Sequence, residues 1–390
     1  MRINRIMKII STLLTSVFLS LSSIAAYAAD MHYTIFVDAG STGSRLHIFQ
    51  YENAATMPVV TDIFSESVKP GLSSFADHPE LAGQSLKKLF DDATQFLQKN
   101  GTDPHVVSVS VLATAGMRLL SDDKQQAIYT NVNDYLKTNY TFAIGQVETI
   151  SGKTEGVYDW LTVNYLAGNF QNQHPTVGSI DMGGASTQIA FATQDRSHQE
   201  DEVVLQINNQ TYTIFSKSFL GLGLDQSFAA MNMSASANLC YPHQYASNAS
   251  VGDFNFASCS EIYSKIIQQA NVAQQMISTK GQSFIAYSGI YYPFNFLEVD
   301  KTPERSVVEK RIQAVCNKPW QELQKDYPQV VEKYLAANCA NSVYDDRLLY
   351  DVYQLQDGQL TVTTQINHKD IDWTLGAALV KVHVIHHSLE

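Results

Sequence analysis

The chain has 390 residues, of which 45% are hydrophobic and 16% are charged, so it can bury one large core or two ordinary ones. That composition excludes a disordered chain and a fibrous repeat. The 38 Asp and Glu residues outnumber the 26 Lys and Arg residues, and the net charge of -12 argues against a basic face that binds nucleic acid. Any polyanionic ligand would have to be bound by local groups.

Residues 1–28 have the three parts of a secretory signal peptide. Three basic residues come first, an apolar stretch follows at 9–21, and Ala26-Tyr27-Ala28 supplies small residues for cleavage before Ala29. The apolar stretch is short for a membrane span, so an uncleaved anchor is the weaker alternative. We expect a monomer that is periplasmic or secreted, with no membrane anchor after processing.

Strands and helices then alternate along the chain, as in an α/β protein. Apolar residues spaced by two or by three and four, with turn residues between them, give the following elements. The predicted elements are strands at 33–37 and 46–51, a helix at 86–97, strands at 106–112, 142–150 and 176–181, helices near 261–277 and 302–315, and a C-terminal helix with the apolar stripe Leu375, Ala378, Leu379 and Val382.

Two of the predicted turns look like copies of one structure. After Asp38, and again after Asp181, an apolar strand gives way to glycine and small hydroxyl residues and then to another strand. Turn propensity alone does not require an aspartate at both strand ends. The repeat therefore predicts two similar sheet domains that face each other across a cleft, each with one such hairpin.

These turns suit a phosphate ligand. Glycine, serine and threonine let backbone N–H groups and hydroxyls approach phosphate oxygens without a bulky side chain between them. The acidic chain then needs a cation beside the phosphates, and Asp38 and Asp181 are placed to hold a hydrated Mg²⁺ or Ca²⁺ through water.

The four cysteines all lie in the second half of the chain, and an even number in an exported protein indicates disulfides. Three pairings are possible. We favour Cys240 with Cys259 and Cys316 with Cys339, because short loops close at the lowest entropic cost. A zinc site is the weaker alternative, since no CxxC spacing accompanies them.

Five segments, taken together, resemble the apyrase-conserved regions of the nucleoside triphosphate diphosphohydrolases, or NTPDases. They occur in the family's order over nearly the whole mature chain, and the chain is most similar to a soluble secreted bacterial member. The segments are Asp38-Ala39-Gly40-Ser41-Thr42-Gly43-Ser44-Arg45, Ala113-Thr114-Ala115-Gly116-Met117-Arg118, Ser151-Gly152-Lys153-Thr154-Glu155-Gly156, Asp181-Met182-Gly183-Gly184-Ala185-Ser186-Thr187-Gln188 and Asp372-Trp373-Thr374-Leu375-Gly376.

The resemblance implies an α/β fold of the actin-like class, the acetate and sugar kinase/Hsp70/actin superfamily, with two RNase H-like lobes around a nucleotide cleft. We expect the first lobe at 29–150 plus 366–388 and the second at 151–365. It also implies hydrolysis of nucleoside tri- and diphosphates such as ATP, ADP, GTP, GDP, UTP and UDP to the monophosphate, with Mg²⁺ or Ca²⁺, and with Mn²⁺ as a further candidate. Such a secreted enzyme would destroy extracellular nucleotide signals as a virulence factor or scavenge nucleosides.

The resemblance also implies a role for individual residues. Glu155 would be the general base that activates water, and Ser186, Gln188 and Thr114 would orient that water. Trp373 matches a further motif position. The residues implied in phosphate binding are Ser41, Thr42, Gly43, Ser44, Arg45, Gly183, Gly184, Ala185, Ser186 and Arg118. The residues implied in base stacking are Tyr291, Tyr292 and Tyr344, for which ordinary core packing is an equally good interpretation.

Other activities fit the sequence less well. An exopolyphosphatase or guanosine-pentaphosphate phosphatase of the same superfamily would share the two turns, but Thr42 and Gln188 follow the apyrase form. An aspartyl-phosphate route would need a second aspartate where Gly40 stands. A P-loop would need a glycine at Val147. The alternative to a catalytic role for Glu155 is a structural one, in which a glutamate at the start of a helix stabilises the helix dipole.

Overall fold

The computed structural model of the protein describes residues 31–52, 58–246 and 250–382. The predicted signal peptide lies outside these residues. Among them, no helix is long and apolar enough to cross a membrane. Two β-sheets with helices packed against them make up the described chain.

The first sheet has five strands in the order β3-β2-β1-β4-β5. Strands β1, β2 and β3 are antiparallel neighbours, and β4 and β5 run parallel to β1. Its residues alternate between two faces, so that Ile35 and Val37 join one core while Phe36 joins another. The strands are β1 Met31–Ala39, β2 Ser44–Glu52, β3 Val60–Val68, β4 Ser108–Ala113 and β5 Ala143–Thr149.

The second sheet has six strands in the order β11-β10-β6-β7-β9-β8. If the outer strand β8 is set aside, this order repeats that of the first sheet, and the β6–β7 hairpin corresponds to the β1–β2 hairpin. The predicted duplication is therefore confirmed. The strands are β6 Gly178–Met182, β7 Ser186–Ala192, β8 Glu202–Ile207, β9 Gln210–Leu220, β10 Phe284–Ser288 and β11 Leu360–Val362, and a two-stranded ribbon follows at β12 Gln365–Ile366 and β13 Lys369–Asp370.

The helices cover both sheets and complete three buried cores. A π-helical turn at Arg347–Val352 directly follows the helix Glu332–Asp346. The α-helices are α1 Ala82–Ser85, α2 Lys87–Lys99, α3 Ala115–Arg118, α4 Asp122–Asn139, α5 Gly152–Leu166, α6 Asn169–Asn172, α7 Leu224–Asn232, α8 Phe256–Gln269, α9 Tyr291–Phe296, α10 Arg305–Cys316, α11 Trp320–Asp326, α12 Glu332–Asp346 and α13 Trp373–Lys381. Short 3₁₀ turns lie at Leu72–Phe75, Pro79–Leu81, Pro104–Val106, Gln199–Asp201, Ala237–Cys240 and Val272–Gln275.

Helices α5 and α13 pack together between the two sheets. They approach so closely that a Cβ on Gly376 would overlap the backbone of Tyr158, so only glycine fits there. Helix α5 is buried along nearly its whole length, from Glu155 to Leu166, and it carries the predicted base into the space between the sheets.

The nine elements predicted from local signals are all present, and most of their bounds agree to within a few residues, but the prediction missed other elements, among them β3, β9 and β10. Helix α2 ends at Lys99 with Asn100 as its C-cap, and Gly101 follows with φ of 74°. Helix α8 begins at Phe256, earlier than expected, because the side chain of Asn255 accepts a hydrogen bond from the Ser258 amide at 2.9 Å. The lobe boundaries themselves stay a prediction.

Both disulfides form with the favoured pairing. Cys240 is bonded to Cys259 and Cys316 to Cys339. All four half-cystines are fully buried in the large core of the second sheet. Each bond closes a short loop between helical segments, which is the arrangement that the entropy of loop closure favours.

Candidate active site

The two predicted phosphate turns face each other across a cleft. The first joins β1 to β2 at 40–43, and the second joins β6 to β7 at 183–185. A Cβ placed on Gly184 would lie 2.8 Å from the Ser41 hydroxyl and 3.2 Å from the Thr42 methyl. The absence of a side chain at Gly184 therefore allows the turns to meet edge to edge. The cleft lining includes Ser41, Thr42, Gly43, Ser44, Arg45, Thr114, Glu155, Gly183, Gly184, Ala185 and Ser186, all of which the sequence predicted.

Two aspartates lie at the base of these turns. Asp38 and Asp181 both line the cleft, and each has a buried Oδ1 atom with no hydrogen-bond partner among the described residues. Burial raises the pKa of Asp38 well above its ordinary value, with a further contribution from the charge of Asp372. Burial also raises the pKa of Asp181, to about 6. A buried carboxylate with an oxygen that lacks a hydrogen-bond partner is costly unless a cation or a proton neutralises it.

The residues present fit a divalent cation held through water. The donor atoms are hard carboxylate oxygens, which Mg²⁺ and Ca²⁺ prefer, and the orphaned oxygens face a phosphate-sized cleft. Among the described residues, no group of three or more Asp, Glu, His or Cys side chains is arranged to hold a metal directly. A cation here would therefore keep most of its water ligands, as is usual for Mg²⁺ beside phosphates.

Glu155 lies in the first turn of α5. Ser151 caps that helix by accepting a hydrogen bond from the Thr154 amide at 3.0 Å, so the Glu155 side chain projects from a fixed N-terminus. The residue is only 5% exposed and is paired with Arg118. Burial raises the pKa of Glu155 to about 7, because its effect exceeds the opposing effect of the Arg118 charge. A carboxylate with this pKa can accept a proton near neutral pH.

Gln188, on β7, is oriented by its neighbours. Three acceptors share the two Nε2 hydrogens: the Ser186 hydroxyl at 2.6 Å, Oε2 of Glu155 at 3.0 Å and the Ser218 hydroxyl at 3.0 Å. The opposite amide atom, Oε1, is buried and has no partner among the described residues. A buried acceptor without a partner among the described residues, next to the predicted base, is suited to orient a water molecule.

Arg118 follows Thr114 by one helical turn. Thr114 is buried at the end of β4 and lines the cleft. The family resemblance implies that Arg118 binds phosphate. In the structure its guanidinium contacts Glu155 and the Ser218 hydroxyl. The sequence did not indicate this contact, because Arg118 and Ser218 are 100 residues apart.

A second ionic network was not found from the sequence. His47 lies 2.6 Å from Asp62 through Nδ1 and 3.2 Å from Asp372 through Nε2. Burial opposes its charge, but the two carboxylates outweigh burial and raise the pKa of His47 to about 10. Asp372 also caps α13 through the Thr374 amide at 2.9 Å, and Arg45 approaches it at 3.4 Å. No residue spacing pointed to this network, because it joins distant segments.

A buried acid lies one turn beyond the predicted base. Asp159 is fully buried and accepts a hydrogen bond from the hydroxyl of Tyr287, a residue that lines the cleft. Burial raises the pKa of Asp159 well above its ordinary value, and the nearby charges of Asp181 and Glu155 raise it further. The i, i+4 spacing from Glu155 was the signal that could have revealed it.

The aromatic residues predicted for the site do not lie together in the structure. Trp373 lines the cleft and stacks on Tyr158 with ring centroids 6.1 Å apart. Tyr291 and Tyr292 form an edge-on pair outside the cleft lining, and Tyr292 is 64% exposed. The structure does not bring Tyr344 to them: its ring is fully buried, and its hydroxyl donates to the Leu222 carbonyl at 2.5 Å. Of the predicted base-stacking residues, therefore, Tyr292 is exposed, Tyr291 is half-buried and Tyr344 is fully buried.

The fold and the cleft together define a class of protein. Two sheets of one topology, each with a Gly/Ser/Thr hairpin and an aspartate at the strand end, enclose a cleft that the buried carboxylate of Glu155 lines. This is the arrangement of an actin-like, phosphate-binding hydrolase. A model described as the GDA1/CD39 (nucleoside phosphatase) family matches residues 25–389, so the chain belongs to that family. It is an enzyme, a hydrolase that acts on phosphoric anhydrides.

Known proteins agree with this assignment. Ectonucleoside triphosphate diphosphohydrolase 5 of Gallus gallus is 30% identical over 385 residues, which cover 88% of this chain and 86% of that protein. The structure of nucleoside triphosphate hydrolases from Neospora caninum covers 97% of both chains at a TM-score of 0.68 and 14% identity. The Aquifex aeolicus member of the Ppx/GppA family covers 90% of this chain and 98% of its own, at a TM-score of 0.57 and 14% identity. The two solved structures confirm the predicted actin-like fold.

Proposed function

We propose that the protein hydrolyses nucleoside tri- and diphosphates to the monophosphate and phosphate. The observation that carries this proposal is the contact between Glu155, a buried carboxylate in the cleft lining whose pKa is about 7, and the amide of Gln188, whose Oε1 has no partner among the described residues. Family membership and the printed name of the Gallus gallus relative support the substrate class.

The proposed chemistry is direct attack of water on the terminal phosphorus. The turn at 40–43 and the turn at 183–185 bind the phosphates through backbone N–H groups and hydroxyls. Gln188 and Ser186 orient the water, and Glu155 takes its proton as the new P–O bond forms and the bond from the terminal phosphorus to the bridging oxygen breaks, so that the shortened nucleotide leaves. A divalent cation held through water by Asp38 and Asp181, when bound, neutralises the phosphate charge.

The first test compares phosphate release from ATP, ADP, AMP and polyphosphate in the presence of Mg²⁺ or Ca²⁺. We expect release from ATP and ADP but not from AMP. GTP, GDP, UTP and UDP should also be substrates, because an exposed aromatic face such as that of Tyr292 stacks on any base. Release from polyphosphate alone would assign the protein to the exopolyphosphatase type of activity.

The second test replaces the base. Glu155→Gln keeps the size of the side chain but cannot accept a proton, so turnover should fall by about 10²–10⁴-fold while nucleotide affinity, measured by calorimetry, is retained. Glu148→Gln is a matched control, since Glu148 is exposed and lies outside the cleft lining. Turnover retained in Glu155→Gln would exclude this role.

We also propose that the protein is exported and acts as a monomer in the periplasm or the medium. The tripartite pattern at 1–28 and two buried disulfides, which persist in oxidising compartments, support export. N-terminal sequencing of the protein recovered from each cell fraction tests cleavage before Ala29. Light scattering coupled to gel filtration tests the monomer.

A further inference from the structure

Four side chains form a closed ring of polar contacts beside the cleft. Arg118 donates through Nη2 to Oε2 of Glu155, and Gln188 donates through Nε2 to the same oxygen at 3.0 Å. The ring is closed by Ser218, whose hydroxyl accepts from Gln188 Nε2 at 3.0 Å and from Arg118 Nη1 at 3.2 Å. Both contacts to Glu155 involve Oε2, so Oε1 has no hydrogen bond among the described residues.

The sheet register places Ser218 opposite Gln188. The two residues are direct cross-strand partners on β9 and β7, where side chains on one face are in contact. Arg118, by contrast, follows β4 of the first sheet. The Ser218 hydroxyl has two lone pairs, and the donors from Gln188 and Arg118 occupy both. Ser218 therefore joins a guanidinium from one sheet to an amide from the other.

The surrounding backbone holds Ser218 at this position. A Cβ on Gly152 would overlap both the Ser218 side chain and Nη1 of Arg118, so the start of α5 packs directly on this contact. Gly152 is thus the residue whose small size lets the serine and the arginine meet. Since Glu155 lies in the first turn of the same helix, the start of α5 positions both the predicted base and this contact.

The ring also determines which way the Gln188 amide faces. If the amide were reversed, Oε1 would lie about 3 Å from Oε2 of Glu155, and two acceptors would oppose each other. With Nε2 turned toward Glu155 and Ser218, Oε1 is left for a water molecule.

We propose that Ser218 is a positioning residue for hydrolysis, which holds Arg118 against Glu155 and keeps the Gln188 amide oriented. This inference rests on the proposed role of Glu155 as the base. Without Ser218, Arg118 would pair less closely with Glu155, so the pKa of that carboxylate would rise and the amide would lose a partner. Substrate binding by the two turns would not change, because Ser218 does not line the cleft.

The test compares Ser218→Ala with Ser216→Ala. Ser216 is fully buried on the same face of β9, two residues earlier, and its hydroxyl donates to the Lys153 carbonyl at 2.8 Å. Both changes remove one hydroxyl next to the start of α5, so any general effect on packing should appear in both. The readouts are kcat and KM for ATP from pH 5 to 9, and the melting temperature.

For Ser218→Ala we expect kcat to fall by about 10–100-fold at neutral pH, with KM within about twofold of the wild-type value. The acid limb of the kcat profile should move up by about one pH unit. Ser216→Ala should keep the wild-type kcat and acid limb. An unchanged kcat and acid limb in Ser218→Ala, a rise in KM alone, or equal kinetic losses in both variants would each overturn the inference.

Glu155→Gln is measured in parallel to separate the two proposals. If Glu155→Gln is inactive and Ser218→Ala is unchanged, the positioning role fails while the base assignment stands. If Glu155→Gln is fully active, the proposed mechanism fails, and the inference about Ser218 fails with it.

Discussion

Removal of the Arg118 charge should shift the pH dependence of the reaction. Arg118 contacts Glu155 directly and is 15% exposed at its side chain, so its charge acts on the carboxylate with little screening by water. The pKa of Glu155 is about 7 with this guanidinium in place. The base works in its deprotonated form, so activity should fall as the pH drops through this value.

The variant Arg118→Met keeps an unbranched side chain of similar length but no charge. Loss of an opposite charge at contact distance should raise the pKa of Glu155 by about 1–3 units. A rise of one unit leaves about a tenth of Glu155 deprotonated at pH 7 instead of about half, so kcat should fall about fivefold there. A rise of two units would give a loss of about fiftyfold.

The assay is kcat for ATP as a function of pH, with the plateau at high pH as the internal reference. The acid limb should move to higher pH while the plateau stays near that of the wild type. Arg196→Met is the control, since it removes an ion pair to Glu202 outside the cleft lining. If the acid limb does not move and KM rises, Arg118 does not control the pKa of Glu155 and instead binds the phosphates.

Three further outcomes are expected. Excess EDTA should abolish phosphate release, and added Mg²⁺ or Ca²⁺ should restore it; full activity in the chelator would contradict a cation site. Gly184→Ala should weaken nucleotide binding at least tenfold, which corresponds to about 1.4 kcal/mol. The reason is that the new methyl group would overlap Ser41 and Asp225 where the two turns touch. Calorimetry with ADP measures this affinity. Replacing Cys316 and Cys339 together by serine should lower the free energy of unfolding by about 2–4 kcal/mol in urea denaturation, and an unchanged midpoint would exclude a stabilising role.

The network of His47, Asp62 and Asp372 shows how the cleft tolerates several acids. Asp38, Asp181 and Glu155 all have raised pKa values, mainly because burial disfavours their charge. Asp372 differs, since His47 lies against it and outweighs its burial, so that its pKa is lowered. The cleft therefore holds Asp372 in its charged form beside His47, whereas the raised pKa values of Asp38, Asp181 and Glu155 favour a proton or a nearby cation.

The sequence by itself determined the parts of this protein that depend on neighbouring residues. Helix α2 follows from its apolar spacing and its Asn100-Gly101 end, and both phosphate turns follow from glycine and hydroxyl residues after an aspartate. The disulfide pairing follows from short loops, Cys240 to Cys259 being the shorter. Such features need only local geometry, and the order of the five motifs carried the family resemblance.

Only the tertiary structure decided which distant groups meet. Arg118 contacts the base because α3 of the first sheet approaches β9 of the second, and Ser218 meets Gln188 because of the register between two strands. Tyr344 looked like a base-stacking residue, but the packing of α12 covers its ring. Contacts between segments far apart in the chain depend on how sheets and helices pack, and no local spacing in the sequence records that packing.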